Sequence, residues 1–271
     1  MNASWRFLTN SLPCVVALAL TLTVSPGPRS VLAESCALLP QHAGVTFPTE
    51  RVDGDWACRM QSIIDNYTTA SKLGPLRTAL TESMYLYLLD HPTVAAALLN
   101  RMDFAPYKVE TLGSGRYWGD DGEGTMGMVT LVYRDRGSRI YYLEGTHHSR
   151  LLPDVSGKAV VFLRMNPVQE PNGPGSMDST IVSYTKLDNR MLSGLVVLMR
   201  PLIGGIVSRK LAKGADAVHR LGLEMRQRPE RVLFEATDEP ALPADDVVYL
   251  RKALGDLKHP SSATGEDPAT P

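Results

Sequence analysis

The chain has 271 residues, with 28 basic and 29 acidic side chains and a formal net charge of −1. That balance excludes nucleic acid as the main partner, because proteins that bind it carry a basic excess. After the N-terminal segment no apolar run is long enough to span a bilayer, and no cofactor-binding motif is present.

Residues 1–33 read as a secretory signal. Arg6 precedes the uninterrupted apolar run from Cys14 to Val24, Pro26, Gly27 and Pro28 break it, and Val31-Leu32-Ala33 supplies the modest side chains that a signal peptidase reads. The run falls short of the ~20 residues that cross a membrane, which favours a cleaved signal over a retained anchor. Glu34 stands where a lipoprotein signal needs a small residue, so lipid attachment at Cys36 is disfavoured. Removing Cys14 leaves an even pair, Cys36 and Cys58. An exporting compartment favours a disulfide between them over two free thiols.

Residues 34–80 read as a helical extension. Asp53 or Asp55 caps a helix whose apolar stripe (Trp56, Met60, Ile63, Ile64, Tyr67) carries it to about residue 71, and Gly74-Pro75 ends it. Thr81 or Ser83 opens a second helix through Leu89. After His91-Pro92, residues 93–102 are again rich in strong helix formers. From residue 107 the period changes to that of strands, expected at 107–112, 116–118, 125–134, 139–144, 158–165 and 180–187, with Asp120 to Gly124 as a tight turn. A long helix follows over 188–228, interrupted by Pro201, which predicts a kink. Pro229 stops it. Residues 237–271 read as a flexible tail with one short helix at 245–257.

These elements define an α+β fold: an antiparallel curled sheet gripping a long, kinked C-terminal helix, with an additional helical N-terminal region. The order, the glycine-led turn Gly122 to Gly127 and the helix MLSGLVVLMRPLIGGIV from Met191 resemble the START-like superfamily, also called SRPBCC or helix-grip. Its members include lipid-transfer domains, plant allergen-type ligand carriers and polyketide cyclases. The resemblance covers about residues 84–228 and suggests a domain over 81–236. The family usually opens with a strand. Here 82–90 reads better as helix, although Tyr85-Leu86-Tyr87 is a candidate for that strand.

The resemblance implies an apolar cavity between sheet and helix, and with it an exported protein that holds a lipid or other apolar small molecule. Candidate ligand contacts are Trp118, Tyr133, Tyr142 and His147 from the sheet, and Met199, Ile203 and Val207 from the helix. A lipid cargo would bring peripheral contact with a membrane. Two other readings stand beside this one. One is a ligand-free envelope scaffold with a filled core. The other is a cyclase or hydrolase using His147 with Glu144 or an aspartate of the 120s turn. His147-His148 with Glu144 lacks a third metal ligand, and Ser149, Ser156 and Ser179 lack a nucleophile-elbow context.

Overall fold

A computed structural model describes residues 36–149, 154–170, 173–188 and 196–258, with 196–203 and 258 described by backbone alone. The expected signal (1–33), the 188–189 helix start beyond Asp188 and the polar end 260–271 lie outside the described residues. The described residues belong to one compact unit.

The N-terminal part comprises a small hairpin of β1 (Gln41–His42) and β2 (Val45–Thr46), a 3-10 turn (Thr49–Arg51) and α1 (Gly54–Ile64). Asp53 caps α1 by accepting the Asp55 N–H at 3.0 Å. Then come β3 (Thr69–Thr78), α2 (Glu82–Asp90) and α3 (Pro92–Arg101). The Thr81 hydroxyl caps α2, and Pro92 starts α3, where its missing N–H removes no helical bond. Six strands follow: β4 (Lys108–Gly113), β5 (Arg116–Asp120), β6 (Thr125–Arg134), β7 (Ser138–His147), β8 (Val155–Val168) and β9 (Ser176–Leu187). The chain closes with α4 (Val196–Gln227), α5 (Pro229–Thr237) and α6 (Ala244–Lys258).

The sheet has seven antiparallel strands in the order β3-β9-β8-β7-β6-β5-β4, so the first large strand pairs with the last. The helix expected to reach residue 71 ends at Ile64 instead, and Thr69–Thr78 is a strand of the sheet. Its pattern gave no warning, because Gly74-Pro75 interrupts it and β3 bulges there, with the register shifting between Leu73 and Leu76. Pairing with β9 makes it a strand. This also supplies the opening strand that Tyr85-Leu86-Tyr87 was a candidate for; those residues are helical.

Gly119, Gly127, Gly145 and Gly157 are successive register partners across β5, β6, β7 and β8. A Cβ on Gly127 would lie 2.2 Å from the Glu144 carbonyl oxygen, and one on Gly145 would lie 2.7 Å from that of Met126. Neighbouring backbones approach too closely there for any side chain, so this row lets the sheet curl without crowding its interior.

Two cores lie on opposite faces of the sheet. On the outer face, Phe47, Met60 and Ile63 pack on Ile140, Val160, Phe162 and Val182. The Cys36–Cys58 disulfide ties this layer to α1. On the inner face, α2, α3 and the C-terminal half of α4 cover Leu163, Met165 and Met177. Helical geometry continues through Pro201, so any bend there does not break α4. Pro229 does end α4, but it also opens α5. The stretch read as a tail contributes buried Leu242, Leu250 and Leu254 to the inner core, so α6 is docked rather than loose. Tyr87 stacks on Tyr249 at 3.6 Å, and the Tyr87 hydroxyl donates to Asp246.

Candidate functional site

The curl closes on one helix. On one side of α4, the Ser208 hydroxyl lies 3.0 Å from that of Ser71 on β3. On the other, Lys210 pairs with Asp121 and Lys213 with Glu123, both in the turn between β5 and β6. Asp121 also accepts the backbone N–H groups of Glu123 (2.8 Å) and Thr125 (2.9 Å). Burial alone would raise its carboxyl, but Lys210 and those N–H groups hold it below the usual range. The charged turn is therefore a latch to α4 rather than a free hairpin tip. At 100° per residue, Val207 falls on the arc of α4 between the residue facing β3 and the one facing the turn, so it points into the curl.

Strand alternation then sorts the sheet's side chains. Register pairs Tyr117 with Val129, Leu131 with Tyr141, Leu143 with Ala159 and Val161 with Ser183, and these face inward with Leu163 and Met177. His147 shares that face and lies opposite Thr125, whose hydroxyl is 2.9 Å from the His147 Nδ1. Trp118, Tyr133 and Tyr142 belong to the other face. Trp118 pairs with Met128 and thereby with Glu144, while Tyr142 packs on Trp56 with ring centres 5.2 Å apart and Tyr133 joins the outer core. The expected aromatic contacts thus do not share a face of the sheet with His147. Each was one residue off in parity, or displaced by the β6 bulge between Leu131 and Tyr133. The side chains of Met199 and Ile203 lie outside the described residues.

Glu144 is three residues from His147 and so on the opposite face. There it accepts from Tyr142 (2.8 Å) and pairs with Lys158 (2.8 Å). Glu144 and His147 are therefore not brought together, whereas Asp121 and His147 both hydrogen-bond to Thr125. Among the described residues no cluster of three metal-ligating side chains exists.

The inner face holds a polar cluster that pattern reading missed. Arg139 is 2% exposed and donates Nη1 to Asp90 Oδ1 at 2.8 Å. Asp90, at the end of α2, is shared with the exposed Arg134 at 2.9 Å. Desolvation opposes the Asp90 charge, but the two arginines hold its carboxyl below the usual range. Burial pushes the Tyr141 hydroxyl up to about 12 against the pull of Arg139, and burial likewise raises Tyr85, which hydrogen-bonds to Ser179. Both phenols stay neutral at physiological pH. Arg139 Nε is buried without a partner, as is the Ser183 hydroxyl further along the face. The signal was an arginine and a tyrosine, Arg139 and Tyr141, sharing one parity with Leu143 in β7.

Asp90, Arg134, Tyr117 and Leu131 also line a solvent-open recess of about 480 Å3 between the α2–α3 corner and the β4–β5 turn. A second recess, about 390 Å3, lies between α3 and β4. One of its walls is Arg101, whose guanidinium is already taken up by the carbonyls of Glu235, Asp238 and Pro240.

No protein-family model matches the sequence, and no curated protein matches it. Similar solved structures include a conserved protein from Geobacillus kaustophilus, 10% identical with a TM-score of 0.38, covering 57% of this chain and 93% of that one. Others are the protein XoxI from Bacillus cereus (11%, 0.36, 59% and 98%) and Ara h 8.0201 (12%, 0.34, 58% and 99%). Likeness at this level assigns neither ligand nor activity.

Proposed function

We propose that this chain is an exported binding protein of the START-like kind, holding a lipid or other apolar small molecule between the curled sheet and α4. One contrast carries the reading. On the outer face Ile140, Val160 and Phe162 are 0% exposed, while their inward neighbours Tyr141, Leu143 and Val161 on the same strands are only half-buried. Sheet and helix hold each other on both sides of α4, yet this apolar surface is left incompletely covered. Apolar area left uncovered inside a closed framework favours a guest, at ~25 cal/mol per Å2 removed from water. Val207, Leu131, Leu143 and Val161 would contact its apolar body, and His147 with Thr125 would lie at one end.

Export is supported by the signal-like segment 1–33 and by the Cys36–Cys58 disulfide. No helix among the described residues is long and apolar enough to cross a membrane. The test is mass spectrometry of an organic extract of the purified protein, with titration by a fluorescent apolar probe. A co-purifying lipid, or saturable one-to-one probe binding, is expected. Absence of both would remove the reading.

A further inference from the structure

The geometry points to Arg139 as the anchor for an acidic head group, so that the guest is a carboxylate-bearing amphiphile with its head at Arg139, Tyr141 and Tyr85 and its tail along Leu131, Leu143 and Val161. This rests on the proposed carrier function and specifies its ligand.

The first support is a charge imbalance. Two arginines, 134 and 139, share the single carboxylate of Asp90. Arg134 is solvated, with its side chain 63% exposed, whereas Arg139 is 2% exposed and has only half a counterion. The surrounding phenols carry no negative charge, since burial keeps Tyr141 and Tyr85 protonated. A buried guanidinium is stable only when paired and hydrogen-bonded, and one further anion would complete this one.

The second support is an unmet hydrogen bond. Arg139 Nε has no acceptor among the described residues, and a buried donor without a partner is unfavourable. The guanidinium presents its N–H groups as a planar fork that matches a carboxylate, and nearby tyrosine hydroxyls add donors. The third is position. Leu163 and Met165, beside the cluster, are buried under the helices, whereas Val161 and Leu143 beyond it are half-buried. The cluster therefore stands where the filled end of the interior gives way to the unfilled one. Asp90, which pairs with Arg139, also lines the 480 Å3 recess together with Arg134, Tyr117 and Leu131.

The experiment compares cis-parinaric acid with its methyl ester, which keeps the fluorescent tail and removes the charge. Both are titrated at pH 8 against wild type, Arg139→Met and Tyr141→Phe, with circular dichroism to verify each fold. Wild type is expected to bind the acid at least tenfold tighter than the ester. Arg139→Met should abolish that preference while keeping ester affinity, and Tyr141→Phe should reduce it severalfold. Equal wild-type affinities would overturn the acidic-head assignment and leave the carrier standing, and so would a preference that survives in folded Arg139→Met. If Arg139→Met does not fold, the wild-type ratio and Tyr141→Phe still decide. Binding of neither probe would remove the carrier reading as well.

Discussion

The two faces of the sheet are built from the same strands and the same kinds of residue, yet one is sealed and the other is not. On the outer face Phe162 stacks on His42 (4.2 Å) and meets Phe47 (5.0 Å), and the hairpin, α1 and a disulfide press the layer down. On the inner face the helices fill one end, while α4 closes the other through a hydrogen bond and three ion pairs at its rim. Close packing stabilises the first face, and peripheral polar contacts hold the second shut. Stability lies on the outer side of the sheet, and the proposed binding would lie on the other.

The sharpest test uses adjacent residues. Phe162→Ala should destabilise by about 3–5 kcal/mol, and Val161→Ala by less than about 1 kcal/mol, in urea denaturation. Equal losses would mean that the interior is packed and the faces do not differ. Replacing Cys36 and Cys58 by serine releases a loop with a sequence separation of 22 and should cost about 3 kcal/mol, with probe affinity unchanged.

His42 allows the outer face to be loosened by acid. Its ring is 3% exposed and Nε2 has no partner, so burial lowers its pKa despite the opposing backbone hydrogen bond at Leu39. Tyr184 meets the ring at 5.5 Å between ring centres, and the Lys72 ammonium donates to the carbonyl of the adjacent Ala43 at 2.9 Å. The folded state favours neutral imidazole, so its contribution is complete above the unfolded pKa of ~6.5 and is lost as pH falls below it. Amide protection factors at residues 41–47, taken against intrinsic exchange rates, should fall between about pH 7 and 5, and His42→Phe should flatten that dependence. The smallest stability effect is expected at the rim. Lys210→Ala should change stability by less than about 1 kcal/mol, because its ion pair is partly solvated, yet stopped-flow release of the probe should become severalfold faster.

Much of the architecture was legible locally. Residues 125–134 and 180–187 alternate as strands do, Thr81 and Asp53 cap helices, and the long apolar period after Asp188 predicts α4. The even count left without Cys14, with the expectation of export, paired Cys36 with Cys58. What failed had a common cause. β3 has no period of its own around Gly74-Pro75 and is a strand only because β9 supplies its hydrogen bonds. The helix α6 was expected, but its docking was not, because the burial of its apolar residues depends on α2 and α4.

The strands β4 to β9, the long helix after them and the disulfide followed from the residues themselves, because capping, period and cysteine parity are read without tertiary contacts. Tertiary structure alone decided which side of each strand looks inward. A strand's side chains alternate whatever their partners, and only register with its neighbours assigns one parity to the interior. That assignment took Trp118, Tyr133 and Tyr142 out of the interior, set Arg139 and Tyr141 within it, and aligned four glycines from four strands into the row along which the sheet turns.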